Sequence, residues 1–217
     1  MEKVIKLKVV DVIKETGTAI SIHFKQPFLK KVKYKPGQFL TLLVPVNGTI
    51  ERRCYSLNSA PKIDKTISVT VKKVKDGKVS NHLFDQVKVG DTIKALSPMG
   101  SFTIDPDLKA QRHVVLFGAG SGITPLMSIL KTILQVEAKS IVSLFYGNRD
   151  EESIIFDESL KKFKEKFPER LHLVHILSNP ADPASHYKGR VERDQIPGLL
   201  AQVPDYGPEN TLYYICG

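Results

Sequence analysis

The sequence predicts two domains of different class: an antiparallel β-barrel over residues 1–108 and a parallel-sheet α/β domain over residues 109–217. Three observations carry this. The first hundred residues run as short stretches rich in Val, Ile and Thr, divided by turn signals, as in a small closed barrel. The second half alternates apolar runs with amphipathic stretches, the pattern of a parallel sheet wound by right-handed crossovers. Between them Asp105-Pro106-Asp107 reads as a linker.

In the first half, Val4–Ile13 and Thr18–Phe24 carry β-branched residues in near-alternation. Lys35-Pro36-Gly37 is a turn, and the strand Phe39–Val44 follows it. Asn47-Gly48 accepts the positive φ of a hairpin turn and leads into Arg52–Leu57. Ile67–Val74 stops at Asp76-Gly77. Ser80–Asp85 reads as one helical turn capped by Ser80, and Val87–Ala95, broken at Gly90-Asp91, as another strand pair. Ser97–Phe102 is a proline–glycine corner.

In the second half, Val114–Phe117 is an unbroken apolar run, the mark of a strand buried on both faces. Gly118, Gly120 and Gly122 then leave the backbone bare. Thr124 is placed as helix N-cap and Pro125 at the first helical position, with Leu126, Ile129, Leu130, Ile133 and Leu134 at helical spacing. Ile141–Tyr146 is a strand ended by Gly147-Asn148-Arg149. Phe156–Phe167 is a lysine-rich amphipathic helix, and Leu171–Leu177 a third strand. Ser178–Gly189 is a polar loop, Asp194–Val203 a short helix with Pro197 early in it, and Thr211–Ile215 a fourth strand closed by Cys216-Gly217. No helix follows this last strand, as if the chain were cut short. Ligands on parallel sheets bind beyond the carboxyl ends of the strands. Gly118–Gly122, Gly147–Arg149, Ser178-Asn179 and Cys216-Gly217 should therefore line one crevice.

Composition narrows the function classes. Hydrophobic residues make up 41% and charged residues 25% of the 217, an ordinary globular balance. No apolar run is long enough to span a bilayer and the start is no signal peptide, so the expected location is cytoplasmic, without membrane attachment. Two distant cysteines and six scattered histidines give no disulfide framework and no metal-ligand spacing. The first 108 residues hold 19 Lys and Arg against 10 Asp and Glu, and the rest hold 13 of each, so the whole net charge of +9 lies in the first half. That asymmetry points to an acidic partner or a polyphosphate ligand, or to a merely solvated basic surface. No basic run with interleaved aromatics and no helix-turn-helix pattern argues for nucleic acid.

Two stretches carry chemistry. Unpaired N–H groups and the macrodipole at a helix start make an anion site, so Gly118–Gly122 is a pyrophosphate cradle or else a glycine-rich turn. Its spacing, G-x-G-x-G-x-x-P, is not the G-x-G-x-x-G of the dinucleotide fingerprint. In Arg53-Cys54-Tyr55-Ser56, the strand period puts Arg53 and Tyr55 on one face and Ser56 on the other. An arginine can fork two phosphate oxygens, a tyrosine can lie against a planar ring and a serine can donate to a ring nitrogen. A surface arginine, a barrel tyrosine and a strand-end serine are the plainer alternatives.

Taken together, a barrel bearing R-x-Y-S and a nucleotide domain that opens with G-x-G-x-G-x-x-P and closes with Cys-Gly resemble the ferredoxin–NADP reductase superfamily. Tyr34–Phe39, Gly77–Ser80 and Pro98–Phe102 are similar to that family's segments, in the same order. Among its members, the chain is most similar to reductase components of bacterial oxygenases, notably those of phenylacetyl-CoA ring epoxidation. The resemblance implies a Greek-key barrel binding FAD, followed by an α/β domain binding NAD(P)H. Arg53 would hold the FAD pyrophosphate, Tyr55 would stack on the isoalloxazine, and Ser56 would hydrogen-bond near flavin N5, with Cys54 in the same segment. Gly77, Lys78, Val79 and Ser80 would give backbone and hydroxyl contacts to that pyrophosphate. Gly118, Gly120 and Gly122 would bind the nicotinamide nucleotide, with Thr124 and Pro125 beneath the nicotinamide and Cys216 beside its C4. Asn148, Arg149 and Arg190 complete the implied nucleotide contacts. Ser56 and Cys216 are thereby the residues implied at the hydride-transfer centre.

The implied activity takes hydride from NAD(P)H onto FAD and passes electrons singly to a [2Fe–2S] centre serving an oxygenase such as phenylacetyl-CoA epoxidase. No C-x4-C-x2-C pattern is present, so that centre is expected in an absent C-terminal domain or in a partner, an acidic electron carrier or oxygenase component. Ser178-Asn179 stands where NADPH-preferring relatives tend to have Ser-Arg, which favours NADH. Arg149 and Arg190 could supply the missing charge and tilt the reading to NADPH. A stand-alone ferredoxin or flavodoxin reductase and a non-catalytic flavin- or nucleotide-binding module remain alternative readings.

Overall fold

Alternation along β1 (Val4–Thr16) shows how the first half folds: Leu7 and Val9 are fully buried while Lys6 and Lys8 are exposed. A computed structural model describes residues 3–27, 31–182 and 187–217. In it β1 is joined by β2 (Ala19–Lys25), β3 (Phe39–Val46), β4 (Thr49–Ser56), β5 (Thr66–Lys72) and β6 (Thr92–Leu96). They form one curled antiparallel sheet in the order β4-β3-β6-β1-β2-β5. The edge strands do not pair along their lengths; a single bridge, Leu57 to Val69, ties the chain after β4 to β5. Inside lie Leu7, Ile22, Phe24, Leu40, Leu42 and Ile67. Asn47 and Gly48, both at positive φ, turn the β3–β4 hairpin as their sequence predicts.

Two expectations for this half are corrected. Ser80–Asp85 is not one turn capped by Ser80 but part of a helix, α1 (Lys78–Gln86), with Gly77 at the N-cap. Val87–Ala95 is not a strand pair, because only β6 is extended there. Lys88 N–H bonds the Asp91 carboxylate at 2.9 Å and Gly90 takes φ +100°, so the first half of that segment is a turn.

The second half is a parallel sheet in the order β10-β9-β8-β7-β11. Its strands are β7 (His113–Ala119), β8 (Ile141–Asn148), β9 (Leu171–Leu177), β10 (Tyr187–Lys188) and β11 (Thr211–Cys216). The helices are α2 (Ile123–Val136), α3 (Asp157–Lys166) and α4 (Ile196–Leu200). The middle of the expected polar loop Ser178–Gly189 lies outside the described residues, and its last part holds β10. Leu126, Ile129, Leu130 and Ile133 of α2 are completely buried. On another face Val115, Phe145 and Ile176 pack with Leu199 of α4. β11 closes the sheet as an edge, with Tyr213 and Ile215 exposed. The chain divides into two compact units: one runs to Asp105 and includes Met127–Ile129, the other comprises Pro106–Leu126 and Leu130–Gly217. Among the described residues no helix is long and apolar enough to cross a membrane.

Candidate functional site

In the first unit the candidate residues lie on β4 and at the start of α1. β4 is an edge strand, so among the described residues one side of it has no strand neighbour. Register sets Arg53 opposite Leu42 and Tyr55 opposite Leu40, hence on one face; Cys54 and Ser56 stand opposite Thr41 and Phe39 on the other. Tyr55 packs against the barrel core, and burial pushes its phenol up to about 12, against the lowering influence of Arg53. It is thus a neutral aromatic surface at physiological pH. Arg53 keeps half of its side chain in solvent, with Nη1 3.3 Å from Glu51 Oε2. Cys54 is an exposed free thiol. Just past Ser56 the chain is fixed by buried polar bonds: Asn58 Nδ2 donates to Thr70 Oγ1 at 2.5 Å, and Tyr34 Oη lies 2.7 Å from Ser59 Oγ. Burial likewise pushes the Tyr34 phenol up to about 12.

At α1 no side chain caps the first turn, so the N–H groups of Lys78 and Val79 face outward from the helix mouth. Ser80 Oγ accepts from Val74 N–H at 3.3 Å, which leaves its own proton available to donate. A Cβ on Gly77 would collide with that oxygen and crowd the Val74 carbonyl, so the turn favours glycine. Asn81 Oδ1 is buried without a hydrogen-bond partner. Asn81 is absent from the residues that the sequence singles out, since nothing in an asparagine within a helical stretch signals an unmet acceptor.

In the second unit the candidates gather at the carboxyl ends of the parallel strands. Register aligns Cys216 with Gly118, Gly118 with Tyr146, and Ala119 with Gly147. Gly120 to Gly122 form a 3-10 turn, with Gly120 at φ +49°. This turn starts the helix earlier than predicted. Thr124 is therefore not the N-cap: Gly122 is, Thr124 lies second in α2 with its Oγ1 donating to Ser121 O at 3.0 Å, and Pro125 lies third. No side chain caps this helix, and its first N–H, that of Ile123, donates to the Gly120 carbonyl within the 3-10 turn. Tyr146 Oη donates to Gly120 O at 2.9 Å and fixes the turn from below, a contact invisible in the sequence.

Asn148, at the end of β8, has both side-chain amide atoms buried with no partner. Its carbonyl accepts from Ser178 N–H at 3.1 Å, and that of Arg149 from Asn179 N–H at 2.6 Å, so the β8 and β9 loops are joined. The Arg149 guanidinium is exposed and ion-paired to Asp150 at 2.8 Å, whose carboxylate also caps the turn Glu151–Ser153. Arg190 is exposed just past β10, where Gly189 N–H bonds Leu177 O at 2.9 Å. Cys216 is half-buried; burial raises its thiol pKa, so it stays protonated at neutral pH.

These residues fit the groups they are expected to hold. Each unit presents a glycine turn leading into a helix without a side-chain cap, and each has a buried asparagine atom whose hydrogen bond the protein leaves unmade.

Residues 6–104 match the family described as Oxidoreductase FAD-binding domain, and residues 116–217 match Oxidoreductase NAD-binding domain. The chain is 42% identical over 206 residues to the ferredoxin reductase component of 3-ketosteroid-9-alpha-monooxygenase from Rhodococcus rhodochrous, covering 92% of this chain and 55% of that protein. It is 34% identical over 216 residues to a component of the 1,2-phenylacetyl-CoA epoxidase of Escherichia coli, covering 97% and 59% respectively. The chain thus spans little more than half the length of these relatives. Among solved structures, a ferredoxin NADP+ reductase from Neisseria gonorrhoeae with bound FAD and NADP superposes with a TM-score of 0.78 at 25% identity, over 99% of this chain and 85% of that one.

Proposed function

Because the chain belongs to the ferredoxin reductase family, joining FAD-binding and NAD-binding oxidoreductase domains, we propose that it is an NAD(P)H-dependent FAD reductase that supplies electrons to an oxygenase. The observation that carries this reading is the recurrence, once in each unit, of an uncapped helix mouth beside an unmet buried asparagine. When bound, FAD supplies the exchange of a two-electron hydride for single electrons. The protein's part is binding and orientation. Arg53 forks the flavin pyrophosphate while Lys78 and Val79 donate backbone N–H groups and Ser80 its hydroxyl. Tyr55, neutral and half-exposed on an edge strand, lies against the isoalloxazine, and Ser56 donates near its N5. In the other unit Gly118, Gly120 and Gly122 hold the nicotinamide nucleotide's pyrophosphate, and the Asn148 amide bonds the same nucleotide. Thr124 and Pro125 lie beneath the nicotinamide, and the Cys216 thiol packs beside it without ionising.

The acceptor in this reading is a [2Fe–2S] centre serving an oxygenase such as phenylacetyl-CoA epoxidase. The basic first half docks the acidic carrier, with association that slows as salt rises. A stand-alone ferredoxin–NADP reductase is the second reading, favoured by the coverage of the gonococcal protein. Arg149 is ion-paired to Asp150, so Arg190 is the less encumbered of these two guanidiniums to meet a 2′-phosphate.

The visible spectrum of the purified protein, before and after anaerobic NADPH or NADH, tests the proposal. A yellow protein bleached by either nucleotide is expected, and the relative rates rank the two. Arg53→Ala should weaken FAD binding by about tenfold to a hundredfold, the worth of a charge-assisted hydrogen bond. A protein that stays colourless after incubation with FAD overturns the reading.

A further inference from the structure

Outside the residues assigned to FAD, the barrel unit opens a cleft of about 690 Å³, in the size range of small-ligand sites. It arises where two strands part. β3 and β6 pair only at Leu42 with Ala95 and Leu43 with Lys94, although β3 runs on to Val46 and β6 begins at Thr92. The gap is backed by Leu83 of α1 and walled by Val44, Ile50 and Ile93. Its interior is apolar, and Ile50 is 61% exposed, an aliphatic side chain left in water.

The rim has the opposite character. Lys6 and Lys94 line the cleft and stand directly opposite each other across the β1–β6 pair. Like charges in that position repel. Neither lysine has a carboxylate partner among the described residues. The one carboxylate in the lining, Asp91, accepts from Lys88 N–H through Oδ2 and keeps its charge at the turn.

We propose that this cleft binds a small apolar carboxylate, its hydrocarbon part between β3 and β6 and its carboxylate between Lys6 and Lys94. The ligand covers the exposed aliphatic wall and turns a repelling pair into two charge-assisted hydrogen bonds. The site is independent of the flavin and nucleotide readings, because none of its residues is assigned to either cofactor.

Calorimetric titration of the full chain with decanoate, and in parallel with decan-1-ol, tests the assignment. Saturable binding of decanoate with one site is expected, with the alcohol weaker by about tenfold or more. The exposed double variant Lys6→Gln/Lys94→Gln should lose decanoate affinity by a similar factor while its far-ultraviolet spectrum is unchanged. Ile50→Asp should abolish binding from the apolar side. Absence of saturable heat, equal affinity for acid and alcohol, or a double variant that binds like the parent overturns the proposal.

Discussion

Gly122 sits where a side chain has nowhere to go: a Cβ there would overlap the carbonyl group of Cys216 and the backbone nitrogen of Gly217. Both neighbours are backbone, so no rotamer change relieves the clash. Gly122→Ala is expected to cost roughly 1–3 kcal/mol, read as a lowered urea midpoint. Gly147→Ala, whose Cβ meets nothing nearer than 3.6 Å, should stay within about 0.5 kcal/mol of the parent. An equal loss in both variants would refute the contact account of Gly122. The glycine spacing is legible in the sequence because it is local. The role of Thr124 is not, since a good N-capping residue two positions inside a helix looks identical in sequence to one at its start. The unmet amide of Asn148 is likewise set by what surrounds it, including the β9 loop some thirty residues on, and no property of the residue announces it.

The end of α2 shows what an element demands of distant residues. Its last carbonyls cannot bond within the helix. Arg170, in the turn before β9, donates to Leu134 O at 2.7 Å and to Glu137 O at 2.8 Å. The fully buried Glu137 carboxylate accepts from Arg112 through Nη2 at 2.5 Å and Nε at 3.1 Å, from Ser140 Oγ at 2.7 Å, and from Asp107 N–H at 3.1 Å. Removing one partner of such a network strands the other's charge. Glu137→Ala should therefore destabilise by about 3–5 kcal/mol in chemical denaturation, and a loss below about 1 kcal/mol would refute the account. Strands such as β9, with bounds at Leu171 and Leu177 as predicted, are readable from their apolar runs. This network is not, because Asp107, Arg112, Glu137 and Arg170 come from segments far apart in the chain. The start of α1 is hidden for a related reason: Ser80 looks like a cap, but its oxygen serves Val74, and Gly77 leads the helix.

At the scale of the whole molecule, one buried and one half-buried histidine couple the fold to pH. His113 Nε2 lies 2.8 Å from Ser143 Oγ, with the Tyr206 ring 5.9 Å away. Burial lowers its pKa, His172 lowers it further, and the Pro204 carbonyl and Asp205 oppose. His172 is lowered too, by burial and then by Lys164. A folded pKa below the ordinary 6.5 means that the unfolded chain takes protons first as pH falls. The stability these groups contribute is intact above about 6.5 and is lost as pH drops through the folded values. Denaturation midpoints should fall between about pH 7.5 and about pH 5.5, and His113→Asn should flatten that slope. An unchanged slope in the variant would assign the acid sensitivity elsewhere.

The side chains that β11 leaves in water bear on how copies of the chain meet. Among the described residues this strand pairs with β7 alone, and on it Tyr213 and Ile215 are exposed, the latter to 72%. Large apolar side chains exposed side by side favour contact with a second copy. Light scattering should rise with protein concentration, and Ile215→Lys should suppress that rise by setting like charges against each other wherever two such patches approach. Colloidal behaviour, which neither a cofactor loop nor a hydrophobic core controls, would then follow from two side chains left in water.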